Sequence, residues 1–154
     1  MFWNRKRLRG LTIGICFESR GKELNFDNYL IDSILNSGGL AVTIDVKHRA
    51  ELGGGVYGKV LGLVPQANLL LFGHILIGKD GDSQRYYYQI CFKGISRNGT
   101  IVGGGQIFVG YFVSKLPKVA GEVIKRLHVE NLGKISQGGF EERIYTDIPS
   151  AIES

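Results

Sequence analysis

Apolar side chains occupy alternate positions 11, 13, 15 and 17 of LTIGICFE (11–18), the period of a half-buried strand. The period then lengthens. Phe26, Tyr29, Leu30, Ile34 and Ser37 share one helical face, and Ser37-Gly38-Gly39 stops the run. LAVTIDV (40–46) predicts a second strand, followed by a glycine-rich stretch and a short helix through Leu61 to Val64 that Pro65 ends. NLLLFGHILIG (68–78) is apolar on both faces and carries Gly73 at its middle, so it predicts a central, doubly buried strand rather than a helix.

RYYYQICFKGI (85–95) and TIVGGGQIFVGYF (100–112) read as a hairpin around Asn98-Gly99, a pair that tolerates the positive φ of a type I′ turn. Gly103-Gly104-Gly105 predicts a bulge or a close backbone approach. Ser114 is placed to cap a last helix with Pro117 in its first turn. Val119, Ala120, Val123, Ile124 and Leu127 form its stripe, and Asn131 to Gly133 end it. The order β-α-β-α-β-β-β-α predicts an α/β fold: a single three-layer domain with a mixed sheet of about five strands and helices packed on it. That domain spans 11–133, between a basic arm (1–10) and a polar tail (134–154) that lacks periodicity and is expected to be loosely held.

Charge sharpens this division. Of the net +5, residues 1–10 contribute +4 and residues 134–154 contribute −2, leaving +3 on the body. A body so mildly charged lacks the basic face of a nucleic-acid binder. Only the arm residues Arg5, Lys6, Arg7 and Arg9 are candidates for contact with nucleic acid or an anionic surface. Cys16 and Cys91 each sit in an apolar run and read as buried small hydrophobes, without disulfide-framework or zinc-site spacing. No stretch approaches the ~18 apolar residues of a membrane span. The run from Leu11 to Ile15 is too short for the ~7 to 15 apolar residues of an export signal.

The most conspicuous candidate chemistry is ELGGGVYGKVLG (51–62). Gly53, Gly55, Gly58 and Lys59 satisfy nucleotide-binding spacings, both GxGxxG and GxxxxGK. The context argues otherwise. Val60 stands where a P-loop needs a hydroxyl for magnesium, and Pro65 cuts short the helix a dinucleotide site needs. Kinase catalytic segments are missing as well. The stretch therefore reads as a loop between a strand and a short helix.

IFVGYF (107–112) resembles a base-stacking strand but has no aromatic partner strand after it, so Phe108 and Phe112 read as one face of a sheet strand. Ser96 lies on a hairpin and not in a nucleophile elbow. His48, His74 and His128 are scattered, with His74 read as a core histidine. Asp80 and Asp82 flank a turn glycine, and Tyr86, Tyr87 and Tyr88 divide between two strand faces. These readings point to a protein that is not an enzyme and uses no cofactor or metal.

The run from Leu11 to Leu127 resembles a bacterial envelope domain. It is shared by the curli secretion lipoprotein, the outer-membrane lipoprotein activators of penicillin-binding proteins, certain flagellar accessory proteins and the N-terminal domain of the Tol translocation protein. LTIGICFE, FDNYLIDSILNSGG and AVTIDVKHRAEL stand in the places of its opening strand, helix and second strand, with Arg49 and Leu52 in the Arg and Leu positions of its DRxxL segment. ANLLLFGHI (67–75) matches the next strand, YYYQICFKGISRNGTIV (86–102) the hairpin, and a closing helix follows in both.

The resemblance implies a non-catalytic docking or oligomerising module of the envelope, on the periplasmic or outer-membrane side. A chain natively beginning at Met1 would be cytoplasmic. Its contact surfaces would be an exposed edge strand and the glycine-rich loop, and its partner a protein or a second copy. Two alternatives stand beside this reading: a nucleic-acid-associated protein gripping phosphates with its arm, and a nucleotide-binding protein using Gly53 to Lys59.

Overall fold

The structure, a computed structural model, describes residues 7–20 and 25–132. The elements are β1 (Thr12–Arg20), α1 (Phe26–Asn36), β2 (Leu40–Thr43), α2 (Arg49–Gly53), α3 (Gly58–Leu63), β3 (Leu69–Lys79), β4 (Tyr86–Ser96), β5 (Ile101–Gly110) and α4 (Leu116–Lys125). They build one mixed sheet in the order β2-β1-β3-β4-β5. β1 pairs in parallel with both β2 and β3, and β3, β4 and β5 form an antiparallel meander.

The layers follow from the connections. The crossover from β1 to β2 moves one way along the sheet, and the crossover from β2 to β3 moves the other way. Connections of one hand must then lay their helices on opposite faces. One face carries α1 and α4 over Ile13, Ile15, Leu69, Leu71, Ile75, Ile90 and Phe92. The other carries α2 and α3, whose Leu52, Val60 and Leu61 pack on Cys16, Leu70 and Phe72. β3, buried through its first five residues, lies between the two cores, as its two-faced apolar run requires.

Glycine decides two of these contacts. A Cβ at Gly73 would collide with the Cys91 carbonyl and Phe92 Cα of the adjacent strand and with the Phe17 ring. Gly94 and Gly103 stand opposite each other in register, and their missing side chains let the exit of α4 lie on the sheet. A Cβ at Gly103 would strike the Arg126 carbonyl, and one at Gly94 would come within 2.6 Å of the Leu127 side chain.

Several boundaries differ from the sequence reading. The β4–β5 turn is not type I′. Gly99 has a φ of 89°, whereas Asn98 does not share the positive φ that a type I′ turn needs. The connection is instead the four residues 97–100, closed by Gly99 N–H to Ser96 O at 2.9 Å and Ser96 N–H to Thr100 O at 2.8 Å. Ser114 does not cap α4; it lies in a 3-10 turn, Val113–Lys115, and Lys115 precedes the helix without a side-chain cap. α4 stops at Lys125, short of Asn131, because the chain turns there to the sheet. Leu127 enters the core, and His128 N–H donates to Val102 O at 2.6 Å. Packing against the core also begins before position 11, since Leu8 is fully buried and its N–H donates to Ser37 O at 2.9 Å.

Candidate docking surface

The sheet has two edges, and they differ. β2 is four residues long. β5 is ten residues long, and among the described residues no strand pairs with its outer side, where His128 N–H bonds to Val102 O near the start. From Gly104 to Gly110 alternate backbone N–H and C=O groups of β5 face away from β4, the arrangement that accepts an added strand. Beside this edge runs a groove of about 290 Å3, lined by Ile107, Phe108 and Val109 of β5 and by Lys115, Lys118, Val119 and Glu122 around α4.

At the far end of β5 the surface is aromatic. Tyr86, Phe108, Tyr111, Phe112 and Val113 are all exposed, Phe112 to 61%. Tyr111 packs on Tyr86 and Tyr88 with ring centroids at 5.7 and 5.0 Å, and Tyr87 meets Phe108 edge-on at 5.7 Å. Lys79 and Lys115 lie over the Tyr86 and Phe112 rings, each at 5.6 Å. Tyr88 is the buried root of the cluster, and burial pushes its phenol above the ordinary range. Aromatic surface thus flanks this end of β5, with Tyr86, Tyr88 and Tyr111 on the α4 face of the sheet and Tyr87 with Phe108 on the other, and such surface beside a strand edge fits a protein partner better than solvent.

The glycine-rich stretch sits elsewhere. Gly53 ends α2 and Gly58 begins α3, so the stretch joins two short helices and does not follow a strand as a phosphate loop must. Three of its backbone donors are used within the turn: Gly54 N–H bonds to Ala50 O, Gly55 N–H to Leu52 O, and Val56 N–H to Glu51 O. Only Gly55, at φ 85°, requires glycine for its backbone conformation. Lys59 Nζ lies 3.3 Å from Glu51. His48 Nδ1 holds the same carboxylate at 2.8 Å, and with Lys59 it keeps Glu51 below the usual carboxylate range.

Of the arm candidates, Arg5 and Lys6 lie outside the described residues. Arg9 is exposed. Arg7 is committed inward, donating to the carbonyls of Ile124 at 3.0 Å, Lys125 at 3.4 Å, and Leu127. Two other arginines behave in the same way, and the sequence reading missed both roles. Arg97, in the hairpin turn, donates to Leu61 O, Val64 O and Ala67 O at 2.9, 3.2 and 2.8 Å, closing the end of α3. Arg49 donates to Gly73 O at 3.0 Å and stacks over Phe72 at 5.5 Å, pinning α2 to the middle of β3. Arg49 and Leu52 thus hold α2 to the sheet, which gives the DRxxL positions a structural role.

The histidines do not converge: His48 meets Glu51, His74 lies 3.5 Å from Arg49, and His128 lies 3.5 Å from Glu130. Asp80 receives the Ser83 N–H and hydroxyl, the geometry of a turn, and these bonds lower its pKa. Among the described residues no group of three His, Cys, Asp or Glu is placed to hold a metal, and no helix is long and apolar enough to cross a membrane. A hollow of about 200 Å3 on the α2 side of the sheet is bordered by Arg49, Phe72, Cys91 and Lys93. Cys91 there receives the Gln106 amide at 3.1 Å.

No protein-family model matches the chain, and no curated protein matches it. Among solved structures it is similar to a dodecamer of PelC from Paraburkholderia phytofirmans, with 11% identity over 78% of this chain and 88% of the other at a TM-score of 0.47. A single-substitution variant of the same dodecamer gives 13% identity over 82% and 90%, with a TM-score of 0.44. The lipoprotein GNA1162 from Neisseria meningitidis gives 11% identity over 81% and 99%, with a TM-score of 0.43.

Proposed function

We propose that this chain is a non-catalytic protein-interaction module that docks, onto a second copy or another protein, through the outer edge of β5 and the aromatic cluster at its end. The single observation that carries this reading is the coincidence of a strand edge, Gly104 to Val109, with which no strand pairs among the described residues, and exposed Phe108, Tyr111 and Phe112. Strand addition supplies backbone hydrogen bonds, and aromatic side chains supply buried area at little entropic cost. Placement in a bacterial envelope assembly is supported by the sequence resemblance of residues 11–127. The phosphate-gripping alternative loses Arg7, whose guanidinium is occupied by the end of α4. The nucleotide alternative is weakened because Gly54, Gly55 and Val56 already spend their N–H groups within the turn and the stretch joins two short helices.

The test is photo-cross-linking from position 112. A photoreactive phenylalanine analogue replaces Phe112 in the full chain, in cells and in purified protein, with Leu40 on the opposite edge as control. Adducts larger than the 17.0 kDa chain from position 112, and not from 40, are expected. The absence of any adduct, or the same adducts from both positions, would sink the reading.

A further inference from the structure

The outer edge of β5 has a charged border. Spacings of three, four and three place Lys115, Lys118, Glu122 and Lys125 in one stripe along α4, and all four are exposed. The first three also line the groove beside β5. Glu122 lies 3.5 Å from Arg126 Nε, so its charge is already countered on the helix and the lysines set the sign of the border.

The floor of the groove is apolar. Ile107 and Val109 lie on the α4 side of the sheet and pack against the core that contains Val119. Phe108, between them, belongs to the opposite face, where it meets Tyr87. A strand added to this edge continues the alternation. Every second side chain of it stands on the α4 side, beside Ile107 and Val109, with its neighbours two positions away about 7 Å to either side. An aliphatic residue there fills the groove, and carboxylates two positions before and after it come within reach of the long side chains of Lys115 and Lys118. A second copy of this chain fits less well, because pairing β5 with β5 across a two-fold axis brings two lysine stripes towards each other.

We infer that the partner of this edge is an extended, acidic segment of another protein, which pairs with β5, sets an aliphatic residue against Ile107, Val109 and Val119, and turns its carboxylates to Lys115 and Lys118. Backbone hydrogen bonds hold the segment, and the charges select it. This inference names the chemistry of the partner and rests on the docking reading of β5. The two fail separately: adducts from position 112 without a preference for acidic segments would keep the docking site and remove this partner.

The probe is a fluorescent nine-residue peptide with isoleucine at its centre, glutamate at its first, third, seventh and ninth positions, and valine or threonine between them. One control carries lysine in place of glutamate, and another carries serine in place of isoleucine. Fluorescence anisotropy follows each with the full chain. At low salt the glutamate peptide is expected to bind about tenfold or more tightly than either control, and the gap to the lysine peptide to shrink as salt rises. Lys115→Glu with Lys118→Glu, at two exposed positions, is expected to reverse the preference towards the lysine peptide. The matched charge change Lys47→Glu with Lys59→Glu, also at exposed positions but on the α2–α3 side, is expected to leave it unchanged. Equal binding of the glutamate and lysine peptides, no binding of either, or a preference that survives the reversal at 115 and 118 would overturn the inference. So would dimers of the native chain that cross-link from position 112 and that the glutamate peptide does not dissociate, since these would give the edge to a second copy.

Discussion

The Arg7 guanidinium donates to the Ile124 carbonyl at 3.0 Å, across 117 positions of sequence. It also reaches the carbonyls of Lys125 and Leu127, so one cation closes the C-terminal end of α4, where carbonyls lack intrahelical partners and the helix dipole is negative. A residue expected to grip an external anion is part of the fold. Arg7→Ala is expected to lower the unfolding free energy by roughly 1–2 kcal/mol, the scale of charge-assisted hydrogen bonds at a partly exposed site. Arg9→Ala, at an exposed position, should change it by less than about 0.5 kcal/mol. Urea denaturation of both variants checks this pair, and equal effects would contradict the assignment.

What was legible in the sequence follows this distinction. The five strands and their order could be read because period and apolar run length are local signals, and β3 carried the strongest of them. α2 could not be read that way. Leu52 is its single buried residue, and the helix is held by the long-range bond from Arg49 to Gly73. The end of α4 is likewise set by a distant strand, through His128 and Val102. The basic balance pointed outward because composition cannot show that Arg7, Arg49 and Arg97 spend their donors on carbonyls of the same chain. The aromatic cluster was visible only as a tyrosine run and a strand-like IFVGYF. Its exposure depends on β5 being an edge, which is a property of the assembled sheet.

The glycines at crossing points make a sharp stability prediction. Gly73→Ala places a methyl against the backbone of β4, and Gly103→Ala places one against the backbone leaving α4. Neither obstacle is a side chain that can swing aside. Each substitution is expected to cost about 3 kcal/mol, the upper part of the overpacking range. Gly62→Ala meets nothing within 4 Å and lies in a helix, so it should be neutral or stabilising by up to about 1 kcal/mol. Thermal unfolding of the three variants gives the ranking, and a tolerated Gly73→Ala would contradict the packing described.

The loop from Gly53 to Lys59 makes a prediction of its own. The amides of Gly54, Gly55 and Val56 are bonded within the turn, and Lys59 faces Glu51. Magnesium nucleotides at millimolar concentration are expected to leave the melting temperature unchanged, because a ligand stabilises only as it binds the folded state. Lys59→Ala should cost less than about 0.5 kcal/mol, since the ion pair is exposed. A nucleotide-dependent rise in melting temperature that Lys59→Ala abolishes would reinstate the nucleotide site.

Alkaline pH should expose the buried face of β1. Cys16 is fully buried and its thiol donates to the Asp45 carbonyl at 3.5 Å. Burial pushes its pKa from 9.0 up to about 11, against a smaller opposing pull from Arg49. A raised folded-state value means that the unfolded thiol ionises first. The stability this group confers is therefore complete below pH 9 and is lost as pH climbs towards 11. A loss of up to about 2 kcal/mol across that window is expected from this group alone. Tyr88, raised by its own burial, acts in the same direction and adds to the loss from pH 10 upward. Cys16→Ala should lower the baseline stability by opening space in the core but flatten the slope from pH 9 to 10, before the tyrosine contributes. Native-state alkylation near pH 8 should meanwhile modify the half-buried Cys91 well before Cys16. Equal labelling of the two thiols, or a pH slope unchanged by Cys16→Ala, would show that the α2 side of the sheet opens more readily than its packing implies.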